Sequence, residues 1–224
     1  NTHGIVLKRM DYREADRIVR FITVDQGKVS VIAKGVRKAK SKLAGGLELF
    51  SISEVGYVKG KSDLSTLVSC RLDKHFANIV KDIDRTMLGY SMLKIIDKTV
   101  EDHDNQEFYR IIETGLGALD DLTVPLELIE VWFVLRVLDA GGSAPNFMTD
   151  TKGNKLEEKE CYSFDFETMS FIESSDGDFG VKDIKFFRVV MLQNSPTKLK
   201  NIVELDKYLP KAVGLCRNLE NFAV

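Results

Sequence analysis

Arg17-Ile-Val-Arg-Phe-Ile-Thr-Val-Asp-Gln-Gly-Lys-Val-Ser-Val-Ile-Ala33 is the stretch on which the fold turns. From Arg17 to Thr23 charged positions alternate with apolar ones, which puts one face of an extended chain in water and the other in a core. Asp25-Gln-Gly-Lys28 follows as a tight turn, with Gly27 able to take the positive φ that such turns need. Val29 to Ala33 returns as a further strand, rich in β-branched residues. Working outward, Gly4-Ile-Val-Leu-Lys8 reads as a strand preceding this hairpin. Phe50-Ser-Ile-Ser-Glu-Val-Gly-Tyr-Val58 reads as a fourth strand, with Gly56 at a bulge that bends it. Gly60 to Asp63 turns the chain into a fifth strand, Leu64 to Leu72. Five short antiparallel strands predict a small barrel of the oligonucleotide/oligosaccharide-binding (OB) type over residues 1–75.

Past His75 the hydrophobic period changes from two to between three and four, so residues 76–224 are expected to form a helical domain. Asp73 to Val100 carries an amphipathic stripe that includes Phe76, Ile79, Ile83, Met87, Met92 and Ile96, with an interruption expected near Arg85 to Gly89. Gln106 to Leu119 follows as a second helix. Pro125 to Leu138 is apolar nearly all round, with Pro125 at its start and Gly141-Gly142 at its end, which places it at the centre of a bundle with Trp132 in the core. Over 147–180 the alternation of Cys161-Tyr-Ser-Phe-Asp-Phe166 and its neighbours predicts a small β-ribbon inserted into the bundle. Lys182 to Leu192 and Asn201 to Glu220 close it. The predicted class is α+β: an N-terminal five-stranded OB-type β-barrel followed by an α-helical bundle domain with a small inserted β-ribbon.

The net charge of −2 conceals a division. Residues 1–75 hold 15 Lys/Arg against 8 Asp/Glu, or +7, and residues 76–224 hold 17 against 26, or −9. Halves of opposite sign argue for two domains with different partners, or for halves that attract one another. The positive excess peaks at Lys34-Gly-Val-Arg-Lys-Ala-Lys-Ser-Lys42, where Lys34, Arg37, Lys38, Lys40 and Lys42 stand without an acid among them. On a mobile connection between two strands such a run reads as a loop for phosphates, since like charges repel until an anion neutralises them. Lys8, Arg9 and Arg13 flank the first turn and would extend it into a groove for a phosphate backbone. Tyr12 and Tyr57 are the aromatic residues best placed to stack bases. Five phosphate contacts would give a single-strand salt slope of roughly −3.5. No pattern for base-edge readout accompanies them, so binding is expected to tolerate any sequence.

Catalytic and metal-binding motifs are missing. His3, His75 and His103 stand apart, and the acid pairs Asp82/Asp84 and Asp120/Asp121 fall where solvation explains them. A nuclease built on Asp82 and Asp84 would have to show metal-dependent turnover. Cys70, Cys161 and Cys216 form neither a disulfide framework nor a zinc knuckle, and they read as reduced thiols of a cytoplasmic protein. No span of membrane-crossing length and no leader pattern is read in the sequence. The expectation is a protein that is not an enzyme and takes no cofactor and no metal.

Gly4-Ile-Val-Leu-Lys8, Asp11-Tyr-Arg-Glu-Ala-Asp-Arg-Ile-Val19, Gly27-Lys-Val29, Ala33-Lys-Gly-Val-Arg-Lys38 with Lys40 and Lys42, and Leu47 to Phe50 resemble, in that order, the N-terminal domain of the bacterial RecO family of DNA repair and recombination mediators. Gly141-Gly-Ser-Ala-Pro-Asn-Phe147 is more loosely similar to that family's helical domain. The resemblance implies an OB barrel that binds and anneals single-stranded DNA. It also implies RecR and the C-terminal tail of single-strand-binding protein as partners, and a functional link to the RecA recombinase. Many family members carry a four-cysteine zinc module after the Pro-Asn segment. Here that stretch holds only Cys161, so the β-ribbon is expected to replace it. The competing reading is a non-catalytic adaptor whose barrel docks an acidic protein partner.

Overall fold

The computed structural model describes residues 1–41, 43–60, 64–100, 106–157 and 161–223. They form two compact units, Asn1–Asp120 and Asp121–Val224. The boundary expected at residue 75 marks the end of the barrel strands, and the first unit runs on through two helices.

The first unit holds β1 (Thr2–Tyr12), β2 (Asp16–Thr23), β3 (Gly27–Ala33), β4 (Ser51–Val58) and β5 (Leu64–His75), closed into a barrel in the order β1-β2-β3-β5-β4. One pairing departs from expectation. β3 and β5 run parallel, because β4, antiparallel to β5, is placed on the other side of β5, between it and β1, and leaves β5 beside β3. Gly27 takes φ +65° in the β2–β3 turn, and the register slips between Gly56 and Tyr57, where a Cβ on Gly56 would lie 2.4 Å from the Ser69 hydroxyl. Val6, Val19, Phe21, Val31, Val55 and Leu67 fill the interior. Because directly opposed residues of antiparallel strands share a face, their neighbours Ile5 and Ile22 point outward. Both are nonetheless buried, where α1 (Ile83–Thr99) and α2 (Gln106–Asp120) contact β1 and β2.

The interruption expected near Arg85 to Gly89 is absent. Helix α1 begins later instead, after β5 and a 3-10 turn at Ile79–Lys81, and it is continuous through Gly89. Glycine serves close approach there: a Cβ would come within 2.7 Å of the fully buried Phe50 ring. Asp82 caps α1 by accepting from the Arg85 amide, and Asp120 accepts from the Asn78 amide at 2.8 Å, so both acids have structural work.

The second unit is built on α3 (Leu126–Ala140), whose Trp132 is 1% exposed and donates to the Gln193 carbonyl at 2.9 Å. The expected ribbon is larger than two strands: β6 (Asn146–Asp150), β7 (Cys161–Asp165), β8 (Ser170–Glu173) and β9 (Phe179–Gly180) form a sheet in the order β6-β8-β7-β9. Phe147 from this sheet stacks on Phe187 of α4 (Val181–Leu192), with centroids 4.9 Å apart. Helix α5 (Leu205–Ala223) packs along α3.

Candidate nucleic-acid interface

The basic run leaves β3 as a turn that Gly35, Val36 and Arg37 pin to the barrel. Lys34 is exposed, and Gly35, at φ +64°, donates its amide to Asp16 Oδ1 at 2.7 Å. Val36 then turns inward and is buried in the barrel core. The Arg37 amide donates to the Ala15 carbonyl at 3.0 Å, and the Lys38 amide to Gly35 at 3.1 Å. An apolar plug flanked by backbone ties leaves no inward place for the charged side chains. Arg37, Lys38 and Lys40 accordingly stand exposed, beside the β1–β2 turn of Arg13, Glu14 and Ala15. Lys42 lies outside the described residues, as do His103 and residues 61–63 of the turn expected before β5.

The cations divide by partner. Arg9 donates to Glu48 Oε2 at 2.7 Å and to the Leu47 carbonyl at 3.2 Å, so it braces the chain entering β4. Arg37 Nε lies 3.5 Å from Asp11, whose carboxylate also holds Arg17 at 2.9 Å. Lys8, Arg13, Lys34, Lys38 and Lys40 make no ion pair with another described residue. Arg13, at φ +52°, sets its guanidinium 5.1 Å from the Tyr12 ring centroid, so that ring already carries a cation on one face.

Tyr57 is elsewhere. Thr2 of β1 opposes Val55, which puts Tyr57 at the barrel end of the β2–β3 turn, whereas the basic run follows Ala33 opposite Arg17, at the far end. It packs against the core, and burial together with the Asp25 carboxylate pushes its phenol above the ordinary value.

The strand registers reveal a surface that the sequence reading did not assign. Lys8 opposes Arg20, which opposes Ser30, and one step further along Met10 opposes Ile18, which opposes Ile32. All lie on the outer face, since Val19 and Val31 point inward. Met10 is 51% exposed, and Ile18 and Ile32 are half-buried. An apolar strip thus crosses three strands, between a row bearing Lys8 and the rim bearing Tyr12 and Arg13. The available signal was the doublets Ile18-Val19 and Val31-Ile32, which break strict alternation. Arg20 of this face is taken by Asp97 of α1, at 2.8 and 2.9 Å to its two oxygens.

Cys161 is exposed, and among the described residues no three His, Cys, Asp or Glu side chains stand together as metal ligands would. No helix among them is long and apolar enough to cross a membrane.

A closed five-stranded barrel with a cationic turn at one end, followed by helices and a small sheet, defines a protein with an OB-type domain and a helical C-terminal part. Residues 1–76 match the family model for the recombination protein O N terminal, and residues 80–181 match that for the recombination protein O C terminal. A DNA repair protein RecO of Acetivibrio thermocellus is 35% identical over 174 residues, which cover 76% of this chain and 64% of that protein. Its counterpart from Desulfatibacillum aliphaticivorans is 33% identical over 148 residues, covering 65% and 57%. That from Listeria innocua is 27% identical over 227 residues, covering 94% and 85%. In the first two alignments the chain spans less than two thirds of the relative's length. The chain belongs to the recombination protein O (RecO) family.

Proposed function

We propose that the chain is a non-enzymatic DNA repair protein that binds single-stranded DNA and promotes annealing, acting as a mediator that helps load a recombinase onto strands coated by single-strand-binding protein. One observation carries the reading: Lys34, Lys38 and Lys40 project from a pinned turn and make no ion pair with an acid among the described residues, so their charge is available to phosphates. Lys8 and Arg13 continue this field along the apolar strip of Met10, Ile18 and Ile32, with Tyr12 as its aromatic edge. Arg9 and Arg37 join only by leaving Glu48 and Asp11. Lys42 belongs to the same run, and Tyr57 has the weakest claim because of its position at the other barrel end. Annealing follows if this surface screens two phosphate chains and leaves their base edges free to pair.

The reading brings with it the wider assignments: an OB domain over 1–75 and a helical domain over 76–224, partnership with RecR and with the tail of single-strand-binding protein, a link to RecA, and a cytoplasmic, nucleoid-associated location. It also takes residues 147–180 as a metal-free replacement for a zinc module. Stoichiometric zinc in metal analysis of the purified chain would overturn that last point.

The deciding experiment is anisotropy of a labelled single-stranded oligonucleotide across several salt concentrations. The native chain is expected to give a slope of roughly −3.5, and the variant with Lys34, Arg37, Lys38 and Lys40 all changed to Glu a much flatter one. The native chain is also expected to speed annealing of complementary strands coated with single-strand-binding protein. No binding by the native chain at low salt would hand first place to the adaptor reading.

A further inference from the structure

Three acids of the second unit, Glu127, Glu204 and Asp206, line a cleft of about 780 Å³ between the start of α3 and α5. Its floor is apolar. Leu205, Leu209 and Val213 recur at every fourth position of α5, which stacks them on one helix face, and each keeps 8% exposure. Ile202 and Pro125 complete that floor.

Its rim is acidic. Glu127 of α3 and Asp206 of α5 are exposed and make no ion pair with another described residue, while Glu204 is held by Lys207. The cation on this rim, Arg217, is claimed by Glu130 at 2.6 and 3.0 Å. Hydrogen bonding to Glu130, reinforced by the charges of Glu130, Glu127 and Glu220, keeps the guanidinium above its ordinary pKa, which reports a negative local field. Pro210 adds an acceptor. Lacking an N–H, it leaves the Asp206 carbonyl without the intrahelical bond that position would otherwise supply, and both residues line the cleft.

An apolar floor under a rim of carboxylates and a freed carbonyl calls for a guest with apolar side chains and donors beside them. We propose that this cleft docks a segment of a partner protein in which leucine-type side chains are flanked by lysine or arginine. An acidic tail meets like charge here and is excluded. The proposal stands apart from the DNA-binding reading, since no residue is shared between the two surfaces.

The test uses the full chain and two fluorescein-labelled synthetic 12-residue peptides, one built of leucine and lysine, the other of leucine and glutamate. The lysine peptide is expected to bind, and the Glu127→Lys/Asp206→Lys variant to weaken it at least tenfold. Both substituted side chains are exposed, so the fold is expected to survive, with circular dichroism and the melting temperature as the check. A control with equal charge change away from the cleft, Glu167→Lys/Asp176→Lys, is expected to bind as the native chain does. Equal loss in the control would overturn the proposal in favour of diffuse attraction to the acidic unit. Equal binding of the glutamate peptide would overturn the charge argument. A native dimer that the cleft variant turns into monomers would assign the cleft to a second copy of the chain instead.

Discussion

Asp11 governs how much positive charge the barrel end offers. Its carboxylate sits 2.9 Å from Arg17 and 3.5 Å from Arg37, so Arg37 reaches a phosphate only by giving up a partner. The pair is largely exposed, and its own contribution to stability is small, below about 1 kcal/mol. Its effect on binding is larger, because each added phosphate contact steepens the single-strand salt slope by roughly 0.7. Asp11→Asn is therefore expected to bind single strands more tightly at low salt and with a steeper slope by about that amount, at unchanged melting temperature. An unchanged slope in the same titration would mean that Arg37 makes no phosphate contact. This distinction was illegible in the sequence, where Arg37 and Lys38 are adjacent cations. It arises because Val36 plugs the core and turns Arg37 back across the β1–β2 turn.

At the level of elements, the barrel was readable and its attachments were not. The hairpin Arg17–Ala33 declared itself by alternation and Gly27, and α3 by Pro125 and its unbroken apolar run. Helix α1 was placed too early because Phe76 and Ile79 fit a helical stripe as well as they fit the buried turn they occupy. Besides the apolar contact over Ile5, Ile22 and Phe50, α1 is tied to the barrel by polar, long-range bonds beyond the reach of periodicity. Lys28 of β3 donates to the carbonyls of Asp97 and Val100, at 3.0 and 2.6 Å, and so sets a cation at the negative end of the helix. Two cations of the positive half, Lys28 and Arg20, are thereby committed to architecture. Lys28→Met is expected to cost about 1–2 kcal/mol in urea denaturation of the chain while leaving the salt slope of DNA binding unchanged. A flatter slope in that variant would place Lys28 among the phosphate contacts.

For the whole molecule, opposite charge on the two halves was legible by counting, and the structure sharpens it into a cationic turn on one unit and an acidic, apolar-floored cleft on the other. The parallel pairing that closes the barrel has a dynamic consequence. It comprises Ser30 with Leu64, Val31 with Ser65 and Ile32 with Thr66, partners 34 positions apart in the chain, whereas the β2–β3 hairpin closes between Thr23 and Gly27. Parallel ladders are slightly weaker per residue, and distant partners form late in folding. The cylinder thus has a seam, and it runs along the strand that carries Ile32 of the outer apolar strip. Breathing there would widen that face without unfolding the hairpin beside it. In native-state hydrogen exchange the seam amides of Ser65 and Thr66 are expected to lose protection before those of Val19 and Phe21, and equal protection would mean that the barrel opens only as a whole.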